Sequence, residues 1–215
     1  MKPLWVGQQH HYMVDTRFDW ASSVVVHHTG MDEFRRFQLW HLAAESAKLD
    51  GGEILEVGCG LGGSGFMIAV SVRLAGVKDR VYLCDSFFGL VKADAEFDTL
   101  QNGEMGNTSP EKVKELISTH GIDNVSVVQG VFPDQHDFLS DHRFRFVHID
   151  VDIYRSMKDA FEWVWPRMVS GGIVILDDYG RPDCPGITKF VDEIMPGKDA
   201  LWFLHGGGQA IAMKR

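Results

Sequence analysis

Acidic residues follow four of the five parallel strands that the sequence predicts, and their carboxylates are well suited to chemistry. They lie in the segments 56–63, 85–86, 150–152 and 177–178, and Gly130 follows the remaining strand. Because ligands of parallel α/β sheets bind at the carboxyl ends of the strands, we expect these side chains to border one site.

Two of the acidic segments belong to strands that should be neighbours. Asp150 and Asp177 are 27 residues apart, which leaves room for one helix and a return to the sheet. Converging carboxylates repel one another and raise one another's pKa values, and a cation such as Mg²⁺ with oxygen ligands relieves that repulsion. The structural alternatives are that Asp152 caps the next helix and that Asp178 is a turn residue.

A glycine-rich loop follows the first predicted strand and opens a helix. Gly58, Gly60 and Gly63 form the G-x-G-x-x-G pattern, which permits a tight turn and a close approach of a ligand to the backbone. This pattern alone would also suit a nicotinamide-dependent oxidoreductase, whose pyrophosphate binds a helix N-terminus. Glu56 argues against that function, because a carboxylate facing the ligand repels a pyrophosphate and attracts an ammonium or a sulfonium.

Asp85 is the acid best placed to bind a ribose. It ends the second predicted strand, 22 residues beyond Gly63, where a carboxylate can accept hydrogen bonds from two ribose hydroxyls. The structural alternative is again a turn residue. His148 alternates with apolar residues in its strand, and we expect it to be packed or hydrogen-bonded.

Alternating strands and helices must position these residues. Helices are predicted within 31–49 and over 62–74, 109–120, 155–164 and 187–194, and strands over 53–57, 80–84, 125–128, 145–149, 172–176, 201–204 and 209–213. This order predicts an α/β fold with a doubly wound, Rossmann-like, mostly parallel sheet and a C-terminal antiparallel hairpin.

Composition excludes several classes of protein. The chain has 215 residues, with 21 Lys and Arg against 30 Asp and Glu and a net charge of −9, which disfavours a nucleic-acid partner. Its three cysteines form no Cys-x-x-Cys pair, so neither a disulfide framework nor a structural zinc site is expected. With no apolar run of membrane-spanning length and no signal-peptide pattern, we expect a cytoplasmic protein that contacts no membrane.

The glycine loop and Asp85 resemble the cofactor site of class I S-adenosylmethionine-dependent methyltransferases. The stretch LEVGCGLGG, followed by a strand ending in Asp85, carries this resemblance. It implies that Glu56 faces the methionine end of the cofactor, that Ser64 faces its carboxylate and that residues 130–132 border the adenine. The cofactor-binding residues implied are Glu56, Gly58, Gly60, Ser64, Asp85, Ser86, Gly130, Val131, Phe132 and Asp150.

A wider pattern resembles the macrocin O-methyltransferase (TylF-type) family, which methylates sugar hydroxyls of natural products with Mg²⁺. Its segments are HIDVDIYRS from His148, Trp165-Pro166 with Gly171-Gly172, Asp177-Asp178-Tyr179-Gly180, Asp85-Ser86-Phe87 and Gln129-Gly130 with Phe132-Pro133-Asp134. The resemblance implies that Asp150, Asp177 and Asp178 hold Mg²⁺ or another divalent cation and that Asp152 is the general base. The expected function is therefore O-methylation of a small-molecule hydroxyl, against the alternatives of an NAD-dependent oxidoreductase and a non-catalytic binder of S-adenosylmethionine.

The chain before the glycine loop is predicted to be a separate functional segment. Residues 1–50 form an N-terminal segment with one helix, and residues 51–215 form the S-adenosylmethionine-binding methyltransferase domain. Within the first part, residues 8–30 are aromatic without clear periodicity (Tyr12, Phe18, Trp20). This stretch either covers the acceptor or forms an oligomer contact, as in a homodimer.

Overall fold

Seven strands form one sheet in the computed structural model, which describes residues 15–197 and 199–215. They are β1 (Glu53–Val57), β2 (Val81–Asp85), β3 (Val125–Gln129), β4 (Phe144–Ile149), β5 (Met168–Asp177), β6 (Ala200–His205) and β7 (Gln209–Lys214). The order is β3-β2-β1-β4-β5-β7-β6, with β1 to β5 parallel and β7 antiparallel to both neighbours. The predicted fold class is therefore confirmed.

Helices cover both faces of this sheet. They are α1 (Thr16–Val25), α2 (Glu33–Ser46), α3 (Gly63–Leu74), α4 (Pro110–Thr119), α5 (Tyr154–Val164) and α6 (Pro185–Ile194), with short 3₁₀ turns at Asp137–Leu139, Trp165–Arg167 and Met195–Gly197. Helices α1 to α4 pack in one hydrophobic cluster and α5 and α6 in another. None of the helices in the described ranges is long and apolar enough to cross a membrane.

Alternation along the strands separates the two clusters. Ile54 of β1 and Phe146 of β4 belong to the cluster under α1 to α4, whereas Leu55 and Val147 belong to the cluster under α5 and α6. Successive side chains of a strand point to opposite faces of the sheet. Polar residues at the carboxyl ends of the strands are therefore also divided between the two faces.

Helix boundaries follow local chemistry. Ser109 caps α4, accepting a hydrogen bond from the backbone N–H of Lys112 at 3.3 Å, and Pro110 occupies the first helical position, as predicted. The N-cap of α5 is Ile153, without a capping side chain. Asp152 is therefore not a helix cap, and the structural alternative for this residue is wrong.

The first two helices belong to the same core as the sheet. Phe18 of α1 is fully buried, with its ring centroid 6.0 Å from that of Trp40 of α2. The loop between α1 and α2 is tied to the glycine loop, because the N–H of Gly63 donates to the carbonyl of His28 at 2.9 Å. This hydrogen bond holds the α1–α2 loop over the carboxyl ends of the strands.

Candidate active site

A cavity of about 380 Å³ opens at the carboxyl ends of the parallel strands, where the site was predicted. Its wall contains the glycine loop, the segment after β3 and the acids that follow β2, β4 and β5. The α1–α2 loop adds His28, Thr29, Gly30 and Met31. The first three belong to residues 8–30, which were predicted to cover the acceptor or to form an oligomer contact. Among the predicted cofactor, metal and catalytic residues, those lining the cavity are Gly58, Gly60, Ser64, Asp85, Ser86, Gly130, Val131, Phe132, Asp150, Asp152 and Asp178.

The glycine loop is shaped for close backbone approach. Gly58 has a φ of 86°, and a Cβ there would overlap the carbonyl oxygen of Asp150. Gly60 also has a positive φ, of 51°, but a Cβ on it would meet no atom within 4 Å. The absence of a side chain at Gly58 thus lets the loop pack closely against the backbone that follows β4. Gly60 leaves open space on the cavity side, where a ligand could lie against the backbone.

Both carboxylate oxygens of Asp85 accept hydrogen bonds from the backbone of neighbouring loops. Oδ2 accepts from the N–H of Gly60 at 2.8 Å, and Oδ1 accepts from the N–H of Phe87 at 2.7 Å. Burial raises the pKa of Asp85, although these backbone donors oppose the shift. Its neighbour Ser86 donates its hydroxyl hydrogen to the carbonyl of Gly89 at 2.8 Å, so this side chain shapes the loop.

Ser64 lies at the beginning of α3, in the cavity wall. The residue before the helix, Gly62, has a left-handed φ of 87° and offers no side chain as a cap. Backbone N–H groups at a helix N-terminus lack intrahelical partners and attract anions. The geometry at Ser64 therefore suits a carboxylate.

Glu56 does not line the cavity, although the sequence predicts that it faces the methionine end of the cofactor. Its side chain is fully buried behind the wall, with Oε1 2.9 Å from Nδ1 of His148. A Cβ on Gly65 would lie 2.6 Å from Glu56 Oε2, so this glycine of α3 leaves room for the carboxylate. The register of β1 and β4 pairs Glu56 with His148, and this partner holds the carboxylate inside the core.

The remaining acids form two adjoining groups. Ligand atoms of His148, Asp150 and Asp177 lie within 4.8 Å of one another, and so do those of Asp152, Asp178 and Cys184. The predicted metal ligands Asp150, Asp177 and Asp178 are thus divided between the two groups. Asp177 is only 1% exposed and lies behind the cavity wall.

Burial and mutual repulsion dominate the electrostatics of this cluster. Burial and the carboxylates of Asp177 and Asp178 raise the pKa of Asp150. Burial and the Asp178 carboxylate raise the pKa of Asp152 to about 7, and burial and Asp177 raise the pKa of Asp178. Asp177 differs: burial would raise its pKa, but His148 and Arg35 lower it.

Three cationic side chains contact the acids, and sequence reasoning missed two of them. Arg35 of α2 lies 3.2 Å from both Asp177 and Asp178, and Arg181 lies 3.2 Å from Asp178. His148 Nε2 is 3.8 Å from Asp177 Oδ2; burial disfavours its charge, but Asp177 and Glu56 raise its pKa to about 10. Arg35 lies on the buried face of α2 with Leu39 and Ala43. Because these residues are spaced four apart, the helical period of the sequence could have indicated that Arg35 is buried.

The backbone at two of the acids is held in an uncommon conformation. Asp152 has a φ of 62° and Asp178 a φ of 66°, both in the left-handed region. Non-glycine residues adopt it at a cost and cluster at functional sites. Both side chains line the cavity, where ligand atoms of Asp152, Asp178 and Cys184 lie within 4.8 Å of one another.

The donor set fits a hard divalent cation. Asp177 and Asp178 are buried and Asp150 is half-buried. The carboxylates of Asp177 and Asp178 raise the pKa of Asp150, and Oδ1 of Asp177 is buried without a hydrogen-bond partner among the described residues. Mg²⁺ prefers carboxylate oxygens and binds through one or two of them while keeping other oxygen ligands. Asp150, Asp177 and Asp178 therefore suit such an ion chemically.

Comparison with known structures assigns the class of fold. The O-methyltransferase NovP superposes with a TM-score of 0.74 at 21% identity, over 87% of this chain and 82% of NovP. The calicheamicin methyltransferase CalS11 superposes with a TM-score of 0.68 at 15% identity, over 99% of this chain and 97% of CalS11. At these identities the likeness is one of fold, and that fold is the class I methyltransferase fold.

Sequence comparison assigns the family. A family model described as macrocin O-methyltransferase (TylF) matches residues 9–195. The chain belongs to this family of S-adenosylmethionine-dependent O-methyltransferases, as the sequence motifs predicted. Membership decides against the nicotinamide-dependent oxidoreductase.

Two sequence relatives carry names that state the position of the hydroxyl that they methylate. Mycinamicin III 3″-O-methyltransferase of Micromonospora griseorubida is 32% identical over 173 residues, which are 74% of this chain and 68% of that enzyme. The 8-demethyl-8-(2,3-dimethoxy-α-L-rhamnosyl)-tetracenomycin-C 4′-O-methyltransferase of Streptomyces olivaceus is 30% identical over 179 residues, covering 77% and 67%. The chain thus spans about two thirds of each relative.

Proposed function

We propose that this protein transfers the methyl group of S-adenosylmethionine to a sugar hydroxyl of a natural product, in a reaction that depends on Mg²⁺ or another divalent cation. One observation carries the proposal: a single cavity contains the glycine loop and Asp85 together with the carboxylates of Asp150, Asp152 and Asp178. The acceptor class is supported by the named reactions of the relatives, both of which are O-methylations of complex natural products.

Cofactor binding is assigned to the part of the cavity around β1, β2 and β3. Asp85 accepts hydrogen bonds from the ribose hydroxyls, and the open space at Gly60 receives the cofactor against the loop. Ser64, at the N-terminus of α3, faces the carboxylate of the methionine part, and residues 130–132 border the adenine. When bound, the cofactor supplies a methyl group made electrophilic by the sulfonium. Glu56 acts only indirectly, through His148.

Metal binding is assigned to Asp150, Asp177 and Asp178. When bound, Mg²⁺ orients an acceptor hydroxyl and lowers its pKa. Asp178 presents its carboxylate to the cavity, whereas Asp177 supports the site from behind the wall with its unpartnered oxygen. His148 keeps Asp177 in place from the side of the core.

Asp152 is proposed as the general base. It accepts the hydroxyl proton as the bond between the acceptor oxygen and the methyl carbon forms and the carbon–sulfur bond breaks. Burial and Asp178 raise the pKa of Asp152 to about 7, and a base with a pKa near the working pH transfers protons efficiently. Its left-handed backbone presents the carboxylate to the cavity.

The N-terminal segment is proposed to cover the site, and the domain of residues 51–215 to bind the cofactor. His28 to Met31 line the cavity, and the N–H of Gly63 holds this stretch in place through the carbonyl of His28. Phe18 is core rather than cover, and residues 8–14 with Tyr12 lie outside the described residues.

Methyl transfer to a panel of glycosylated acceptors tests the proposal. The protein is supplied with S-adenosylmethionine and Mg²⁺, and products are detected by mass spectrometry before and after EDTA treatment. We expect a gain of one methyl group on a sugar hydroxyl, loss of turnover with EDTA and recovery with added Mg²⁺. Unchanged turnover in EDTA would overturn the metal role, and methylation confined to an aglycone hydroxyl would overturn the acceptor class.

A further inference from the structure

Arg35 places a permanent positive charge against the acids assigned to the metal. Its Nη1 donates to Asp177 Oδ2 and to Asp178 Oδ1, both at 3.2 Å, and Arg35 is 4% exposed. Both acids are buried as well. Charges in such surroundings interact more strongly than charges in water, because solvent screens them poorly.

The guanidinium also reaches the loop that lines the cavity. Nη2 donates to the carbonyl of Gly30 at 3.2 Å, and Nε lies 3.3 Å from Asp32 Oδ2. Arg35 therefore bridges two parts of the site, the acid pair after β5 and the α1–α2 loop. Its raised pKa, which results chiefly from Asp177 and Asp178 against the effect of burial, keeps it charged.

We propose that Arg35 is the internal counter-ion of the cation site: it holds the carboxylates of Asp177 and Asp178 until a divalent cation takes them, and so weakens and tunes cation binding. The proposal rests on the metal role proposed above for these acids. A guanidinium and a divalent cation compete for the same carboxylate oxygens and repel each other. Removal of the guanidinium charge should therefore tighten cation binding.

The opposite role is a scaffold, in which Arg35 holds the two carboxylates in the geometry that the cation needs. Both roles predict that a variant is less stable without metal. They differ in the sign of the change in cation affinity, because loss of a scaffold weakens binding and loss of a competitor strengthens it. The sign is therefore the decisive readout, and it does not depend on turnover.

Calorimetric titration of the cofactor-free protein with MgCl₂ and with MnCl₂ tests the proposal. Arg35→Met removes the charge at similar length, Arg35→Gln retains a hydrogen-bond donor in case the Met variant fails to fold, and Arg35→Lys retains the charge. We expect the two neutral variants to bind the cation about tenfold more tightly or better, and the Lys variant to bind within a few-fold of wild type. Weaker or unchanged binding by both neutral variants would overturn the proposal.

Arg36 provides the matched control. It lies next to Arg35 on α2 and ties this helix to α1 and the loop, donating to the carbonyl of Met31 at 2.7 Å and to Ser22 Oγ at 3.0 Å. Arg36→Met should leave cation affinity unchanged. If cation affinity rose in Arg36→Met as much as in Arg35→Met, the cause would be loosening of α2, and the proposal would be overturned.

Asp178→Asn separates this proposal from the metal role itself. If wild type binds the cation and Asp178→Asn binds it weakly while Arg35→Met binds like wild type, the metal site stands and the counter-ion role fails. If wild type binds no cation, the metal role fails and the counter-ion role fails with it.

Discussion

Glu56 and His148 face each other across β1 and β4, with Glu56 Oε1 2.9 Å from His148 Nδ1 and neither residue exposed. The ring of His148 points its other nitrogen towards Asp177, at 3.8 Å. A chain of charged groups therefore runs beneath the cavity, from the strand that precedes the glycine loop to the strand that carries the proposed metal ligands. We therefore expect substitutions in this chain to lower the free energy of unfolding more than they weaken cofactor binding.

Glu56→Ala should destabilise the fold. It leaves His148, whose pKa is raised to about 10, without one of its carboxylates in the core. Breaking a buried ion pair costs about 3–5 kcal/mol, and urea denaturation measures the loss. Glu53→Ala is the control: Glu53 lies on the same strand and pairs with the partly exposed His142, and such pairs contribute at most about 1 kcal/mol. Equal losses in both variants would contradict the importance of the buried pair.

Asp85→Ala should weaken binding of S-adenosylhomocysteine, because the ribose hydroxyls lose a charged acceptor. Hydrogen bonds to charged groups contribute about 1.5–3 kcal/mol each, so affinity should fall by at least tenfold in calorimetry. Asp79→Ala is the control, since Asp79 lies just before β2, at the opposite end of the strand from Asp85, and accepts a hydrogen bond from Arg145 at 2.6 Å. Wild-type affinity in Asp85→Ala would remove Asp85 from the cofactor site.

Asp150→Asn should weaken cation binding, and excess Mg²⁺ should restore part of the lost methyl-transfer activity. The carboxylate that it loses is half-buried in the cavity wall beside Asp177, so one oxygen ligand and one negative charge disappear together. We expect turnover to fall at low Mg²⁺ and to recover in part at high Mg²⁺. The measurement is the steady-state rate at a series of Mg²⁺ concentrations. A loss of turnover that does not depend on the Mg²⁺ concentration would show that Asp150 has a role other than metal binding.

Asp152→Asn should have the complementary effect. The amide cannot accept the hydroxyl proton, and loss of a general base lowers kcat by roughly 10²–10⁴. Calorimetry should find cation affinity close to wild type, and added Mg²⁺ should not restore the rate. A fully active Asp152→Asn variant would show that Asp152 is not the base.

His136 should make the fold sensitive to mild acid. Burial lowers its pKa from 6.5, although the nearby backbone of Val131 opposes the shift. The unfolded chain then binds more protons than the folded chain below pH 6.5, so the free energy of unfolding falls as the pH falls from 6.5 through the lower folded pKa. Urea titrations at several pH values measure the free energy of unfolding, and in His136→Leu this free energy should vary less with pH. The same pH dependence in His136→Leu as in wild type would contradict the prediction.

The sequence predicts the sheet well because its strands are short apolar runs between turn residues and amphipathic helices. Boundaries are less secure: β5 begins at Met168 rather than at residue 172, since Val169-Ser170-Gly171 interrupts the apolar pattern. Helix α1 was not predicted, because its buried residues Phe18, Ala21 and Val25 stand among polar and aromatic neighbours that obscure the period.

The site was predictable to the extent that it depends on strand ends. Acids after β2, β4 and β5 meet at one cavity because parallel strands present their carboxyl ends together. The direction of Glu56 was not predictable, because its position on the strand does not reveal that His148 and Gly65 accommodate it in the core. Arg35 was missed because its partners lie more than 140 residues further along the chain.

That separation has a consequence for biosynthesis. Arg35 is made 142 residues before Asp177, and chains begin to fold from the N-terminal side while they are being synthesised. Helix α2 can pack on α3 early, but its guanidinium then lacks the two carboxylates that compensate its burial. Asp32, whose side chain is half exposed, is then its only carboxylate partner among the described residues, and a poorly compensated buried charge is costly. We therefore expect α2 to settle firmly only once β5 has been made. A nascent chain whose Asp177 is still inside the ribosome should therefore keep α2 open to proteases, and a ribosome-stalled series of chain lengths should show protection beginning once that residue has emerged.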